Sequence, residues 1–221
     1  GDLRMEKEDL REKVRAKKGS SVIVFVVDAS GSMDDLRMME TTKGAVMVLL
    51  EDSYQKRDKV GFIAFAGDKA DVLLPPTPSV ELAVKYLREL PTGGRAPLSD
   101  GLYRGLQVLK TQLWKNRKII PIMVLVSDGK GNVPMGTDVK TEVVCIADEI
   151  KRQGINLVVI DSRPRLRWLS QSGYPGFNKE IVEKSGGQYH ELDEMDSQSV
   201  VDVVKAPRIF GEKRLNTRRC E

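Results

Sequence analysis

The sequence predicts a three-layer α/β/α domain with a mostly parallel central sheet and one antiparallel edge strand. Three observations carry that expectation. Continuous apolar runs recur at Val22 to Val27, Val60 to Phe65, Ile119 to Val126 and Ile155 to Ile160, and such runs mark strands buried on both faces. Between them lie longer segments whose apolar residues step by three and four, the spacing of one helical face. Strand alternating with helix in this way implies parallel pairing with helices on both sides of the sheet. With 40% hydrophobic but only 5% aromatic residues, the core must be aliphatic.

The elements follow in order. Residues 1–18 are charged and helix-forming, with Leu3, Leu10 and Val14 as a thin apolar seam, so they read as the end of a helical linker. The main domain spans 19–204, and 205–221 form a basic tail. The chain opens at Gly1 and not at Met, and further residues upstream are an expectation of this reading. After the first strand comes a helix carrying Met39, Val46, Leu49 and Leu50. Val72-Leu73-Leu74 follows the second strand after a Gly67-Asp68 turn, as an antiparallel edge strand stopped by Pro75 and Pro76. Leu98, Leu102, Leu106, Leu109 and Leu113 outline another helix. Val143, Ile146, Ala147 and Ile150 outline a third that ends at Gly154, with Cys145 expected to be buried among them. The stretch from Arg163 to Asn178 reads as a surface loop, Gln188 to Leu192 as a last strand and Ser197 to Lys205 as a last helix.

Charge and scarcity narrow the function classes. The formal net charge is +4, yet residues 1–18 hold 7 basic and 5 acidic groups and residues 205–221 hold 6 and 2, which leaves the body between them slightly acidic. No nucleic-acid partner is expected of such a body. One His and two Cys, Cys145 and Cys220, exclude a Cys/His zinc site or a disulfide framework and suit a reducing, cytoplasmic compartment. No apolar run reaches the ~20 residues of a membrane helix, so no membrane span is expected. A metal, if held, must be held by oxygen.

In open α/β sheets ligands gather beyond the carboxyl ends of the strands. Asp28-Ala29-Ser30-Gly31-Ser32 follows the first run, and Ser127-Asp128-Gly129 follows Ile119 to Val126. Two carboxylates and nearby hydroxyls on small-residue turns are hard oxygen donors, suited to Mg²⁺. Either turn alone is an ordinary helix cap or bend; together, on adjacent strand ends, they point to a site.

Asp28-x-Ser30-x-Ser32 followed by Asp128-Gly129 resembles the metal-ion-dependent adhesion site of von Willebrand factor A domains, which have a Rossmann-like layering, over about residues 20 to 205. More narrowly, Val26 to Met33, Leu73-Leu74-Pro75-Pro76, Leu90 to Gly94, Pro97 to Leu102 and Gly186 to Tyr189 resemble the carboxy-terminal A domain of magnesium chelatase D subunits. The resemblance implies a non-enzymatic interaction platform. Asp28, Ser30, Ser32 and Asp128 would hold Mg²⁺. The partners would be an AAA+ ATPase subunit and the large catalytic subunit that inserts Mg²⁺ into protoporphyrin IX, in cytoplasm or plastid stroma, with self-association within the complex. That family's loop reads Gly-Gly-x-Thr-Pro-Leu with the threonine as a ligand, whereas Gly93-Gly94-Arg95-Ala96-Pro97-Leu98 puts Ala96 there. A methyl group coordinates no cation, and Arg95 adds positive charge beside the gap, so the expected site is weak, completed by water, or vestigial; because Mg²⁺ readily keeps waters, a weakened site is favoured over an absent one.

Other readings are weaker. Ser30 or Ser32 as a nucleophile needs a base, and the single His190 sits on a late strand. An Asp28 nucleophile of the haloacid-dehalogenase phosphatase kind needs a second Asp where the chain has Ser30. An A-domain platform for a different AAA+ machine stays open. Arg163, Arg165 and Arg167, like Arg95, are candidate contacts to an acidic partner.

Overall fold

A computed structural model describes residues 20–31, 36–90, 93–163 and 176–192. The expected helices at 1–18 and 197–205, and the tail after them, lie outside the described residues. The described elements, in chain order, are β1 (Ser21–Asp28), α1 (Leu36–Gln55), β2 (Lys59–Ala66), β3 (Lys69–Thr77), α2 (Val80–Arg88), α3 (Leu98–Lys115), β4 (Ile120–Ser127), α4 (Val139–Arg152), β5 (Asn156–Asp161), α5 (Asn178–Ser185) and β6 (Gln188–Glu191). They build a 6-stranded sheet in the order β3-β2-β1-β4-β5-β6. Only the β2–β3 pair is antiparallel.

Alternation along β1 divides the core into two. Ile23, Phe25 and Val27 pack with Val46, Leu49 and Leu50 of α1 and with Val80, Ala83 and Leu87 of α2. Val22, Val24 and Val26 point the other way, toward Leu98, Leu102, Leu106 and Leu109 of α3, Val143, Ile146, Ala147 and Ile150 of α4, and Ile181 of α5. Successive strand residues face opposite sides, so a run apolar at every position demands helices on both. Every residue of β1 and β4 is buried, each large aliphatic side chain contributing about 1.5–3 kcal/mol.

α3 is drawn tightly onto the sheet because Gly101 carries no side chain. A Cβ there would lie 2.6 Å from Phe65 Cδ1. That close approach fixes where the 93–97 loop, which leads into α3, meets the end of β1.

Two local expectations need correction. β3 runs through Pro75 and Pro76 instead of stopping at them. The register slips on both sides of the Phe62–Leu74 pair, and a bulged edge strand tolerates residues that cannot donate to the ladder. Gly61 opposite leaves the space, since a Cβ on it would stand 3.2 Å from Pro76 Cγ. Cys145 is exposed: with Val143, Ile146 and Ala147 facing inward, position 145 falls on the outer face. Among the described residues, no helix is long and apolar enough to cross a membrane.

Candidate functional site

β1 and β4 lie side by side, but the chain leaves β1 toward β2 and reaches β4 from the far side. This is a topological switch point, where the loops part and open a crevice at the carboxyl edge. Asp28 ends β1 and Ser127 ends β4.

Asp28 is fully buried. Its Oδ1 accepts from the Ser30 N–H at 2.9 Å, and its Oδ2 accepts from the Ser127 hydroxyl at 2.8 Å. The Ser127 oxygen accepts in turn from the Gly129 N–H at 3.0 Å. Asp128, also buried, takes the Lys130 N–H on Oδ1 at 2.9 Å. Its Oδ2 stands 3.1 Å from the Lys130 ammonium. Burial pushes the Asp28 carboxyl upward, the Ser30 hydroxyl pulls it back, and the charge of Asp128 raises it again, so that it titrates at about 6 instead of 3.8. A buried carboxyl whose proton affinity is raised by burial and by a second carboxylate is a group that a cation would relieve.

The facing loop is stitched to this turn through its backbone. Gly31 N–H donates to Gly94 O and Gly93 N–H to Ala29 O, both at 2.9 Å. Such closeness needs glycine at the contact: a Cβ on Gly31 would meet Gly94 O at 3.2 Å, and Gly94 itself has φ +82°. Ala96 is buried, its N–H held by Asn132 Oδ1 at 2.8 Å while its carbonyl accepts from the Asn132 N–H at 3.1 Å. Its methyl packs in the core cluster on the α3 side.

The structure therefore brings Asp28, Ser30 and Asp128 to one edge and brings Ala96 to the facing loop, without an oxygen on its side chain. Ser32, Arg165 and Arg167 lie outside the described residues. Arg95 is paired with Asp68. Arg163 forks onto Asp161, with Nε at 2.9 and 3.0 Å from the two carboxylate oxygens, and only 17% of its side chain is exposed. Burial and then the Arg163 and Tyr189 hydrogen bonds act oppositely on Asp161, and the hydrogen bonds win, lowering it. Tyr189, whose hydroxyl donates to Asp161 at 2.7 Å, is pushed up to about 12, first by burial and then by that carboxylate.

The orienting is done by Ser127, which the sequence offers as a donor of hard oxygen and not as a support, and by two asparagines to which the sequence assigns no role. Ser127 holds Asp28, Asn132 holds the Ala96 loop, and Asn178 Nδ2 donates to Ser127 O at 2.9 Å. Asn178 is pressed against the turn after Asp128, for a Cβ on Gly129 would lie 2.8 Å from Asn178 Cγ.

The donor set is all oxygen and suits a hard cation that keeps several waters. Among the described residues no group of three or more His, Cys, Asp or Glu side chains could hold a metal, so hydroxyls and water must complete any coordination. Nucleophilic alternatives fit poorly. Both Asp28 oxygens are engaged, and His190 is on β6, three strands from β1, roughly 14 Å away.

One expectation follows for position 96. Ala96→Thr is expected to tighten Mg²⁺ binding by roughly an order of magnitude, about 1.4 kcal/mol for one added ligand. Calorimetry showing no gain would mean that the loop holds the new hydroxyl away from the ion.

Comparison with known proteins gives a consistent picture. The model of the von Willebrand factor type A domain matches residues 23–200. An uncharacterised protein of Methanocaldococcus jannaschii is 42% identical over 178 residues, covering 80% of this chain and 99% of that one. The magnesium-chelatase 67 kDa subunit of Heliobacterium mobile is 35% identical over 206 residues, covering 90% of this chain but 30% of the subunit. Among solved structures, the conserved hypothetical protein BatB from Bacteroides thetaiotaomicron superposes with a TM-score of 0.65 at 19% identity, covering 86% of this chain and 98% of that one.

Proposed function

The chain belongs to the von Willebrand factor type A domain family, and from that premise we propose that it is a metal-dependent protein-interaction module of a magnesium chelatase-type assembly. The observation that carries the reading is the buried Asp28 carboxyl set beside Asp128 where β1 and β4 part. Kinship to the chelatase subunit supports the setting, although the chain spans under a third of that subunit's length.

In this reading Asp28, Ser30 and Asp128 hold Mg²⁺, joined by Ser32. Ser127 fixes the Asp28 carboxylate, and Asn178 fixes the carbonyl beneath the Asp128 turn. When bound, the ion supplies an open coordination position that accepts a carboxylate from a partner. The partners are an AAA+ ATPase subunit and a large catalytic subunit, with self-association of the module in the same complex. Insertion of substrate Mg²⁺ into protoporphyrin IX takes place on the large subunit, in cytoplasm or plastid stroma. The chain itself is a platform and not a catalyst.

The test is co-purification of the chain with the AAA+ subunit in Mg²⁺ and in EDTA. Capture is expected to require Mg²⁺ and to be lost in Asp28→Ala while the far-ultraviolet circular dichroism stays that of a folded domain. Capture indifferent to both changes would contradict metal bridging.

The archaeal relative favours a second reading. Almost its entire length is this domain, as expected of a free-standing platform serving a different AAA+ machine. The identity of the ATPase captured separates the two.

A further inference from the structure

The end of the domain opposite the carboxyl edge carries an unexplained surface. Trp114, in the last turn of α3, is 82% exposed, more than any other large apolar side chain among the described residues. It lines a hollow of about 370 Å³ together with Lys110, Leu113, Arg117 and Gln153, large enough for one bulky side chain.

Charge around the hollow is one-sided. Glu149 is the acid beside it, and it is already taken by Lys110 at 3.2 Å, Arg152 at 3.0 Å and Gln153 Nε2 at 2.7 Å. These contacts hold the two cations in place along the α3–α4 seam. Arg117 makes no ion pair among the described residues and stands exposed. An exposed tryptophan beside an arginine that makes no ion pair among the described residues matches the residue types that dominate binding hot spots, and a partner that covers the indole would gain its burial free energy.

We propose that this hollow docks an acidic segment of another protein, with one bulky apolar side chain in contact with Trp114 and flanking carboxylates on Arg117 and Lys110. A second copy of the chain fits less well, because two like-charged patches would face one another. A nucleic-acid strand would want its cations spread along a groove, not gathered round a single hollow. Trp114 lies 16 residues after Leu98, which puts it roughly 24 Å along the α3 axis from the carboxyl edge. The module thus has two poles and can hold one partner at each, so this inference stands whether or not the metal reading does.

The probe is a fluorescein-labelled nonapeptide of Asp and Glu with a central Phe, followed by fluorescence anisotropy with the full chain. Binding is expected, with affinity falling roughly tenfold or more in Trp114→Ala and in Arg117→Glu. Replacing the peptide's Phe by Ser should cause a similar loss. The titration is run in EDTA, so that no carboxylate of the peptide is taken by a metal ion at the other pole. Both surface variants replace exposed side chains, and circular dichroism verifies that they fold. Four results would overturn the proposal: no binding by the parent, equal binding by Trp114→Ala, indifference to the Phe, or tighter binding of a single-stranded oligonucleotide or anionic vesicles at the same salt.

Discussion

Replacing Asp28 by Asn is expected to abolish Mg²⁺ binding and, at the same time, to raise the melting temperature of the metal-free chain at neutral pH. The two effects share one cause. Asp28 is fully buried next to a second carboxylate, and its carboxyl titrates at about 6 when folded against 3.8 when not. A folded value raised above the unfolded one means that the fold prefers the protonated group. Its stabilising contribution is complete below 3.8 and is lost as pH rises through about 6. At pH 8 the ionised group costs up to roughly 3 kcal/mol. Asparagine is neutral at every pH but cannot accept on both sides, so one hydrogen bond, from Ser30 or Ser127, is lost at about 1 kcal/mol. The net expectation is about 1–2 kcal/mol of added stability, on the order of 2–8 °C. Thermal melts in EDTA at pH 8 and pH 4.5 check it: the variant melts higher at pH 8, and the gap narrows at pH 4.5. A buried residue retained for packing alone would give the opposite sign. Sites that bind cations store this kind of repulsion and release it on binding.

Glu142→Ala is expected to cost about 2–3 kcal/mol and to loosen the loop after Asp128. The Glu142 carboxylate, in the first turn of α4, accepts from the backbone N–H groups of Met135, Gly136 and Thr137 at 2.7–2.9 Å. Burial pushes the group upward, but those donors and the Ser99 hydroxyl outweigh it and hold the carboxyl at about 2 instead of 4.5. Each charge-assisted bond is worth about 1.5–3 kcal/mol. Residues 135–137 are exposed, so water recovers part of the loss. A depressed carboxyl contributes stability that is present above 4.5 and lost as pH falls through about 2. Urea unfolding at pH 7 should show the full deficit, and at pH 2 the variant should approach the parent. Through Asn132 the same loop grips Ala96, so the variant should also weaken Mg²⁺ binding.

The parts of this account that local pattern records were legible in advance. Continuous apolar runs give β1 and β4 because a central parallel strand is buried on both faces, and the turns after them place Asp28, Ser30 and Asp128 at the strand ends, where ligands of open sheets gather. α2 was not anticipated, although Val80, Ala83 and Leu87 keep a helical step; at nine residues it offers only two turns of signal beside a proline-containing strand. α5 is shorter still, and its apolar pair Ile181-Val182 is flanked by Lys179-Glu180 and Glu183-Lys184. Cys145 misled through its apolar neighbours, when the angle between residues 143 and 145 on a helix turns one of them outward.

The supporting contacts of the site were not legible for a different reason. Ser127 reaches Asp28 across 99 positions, Asn178 reaches Ser127 across 51, and Asn132 reaches Ala96 across 36. Such pairs exist only once β1, β4 and α5 have assembled, and polar residues in turns carry no mark of which distant group they will hold. Arg163 shows the converse. In sequence it belongs to a basic cluster, but Asp161 two residues earlier claims it as soon as β5 ends.

The central claim is that the buried carboxylates where β1 and β4 part form a Mg²⁺ site, and calorimetric titration of Mg²⁺ into the chain at pH 8 tests it most directly. The account predicts saturable binding of one ion per chain, absent in Asp28→Asn and tightened in Ala96→Thr. Saturable binding of equal affinity in the parent and in Asp28→Asn, or no binding by the parent and by Ala96→Thr alike, would contradict it.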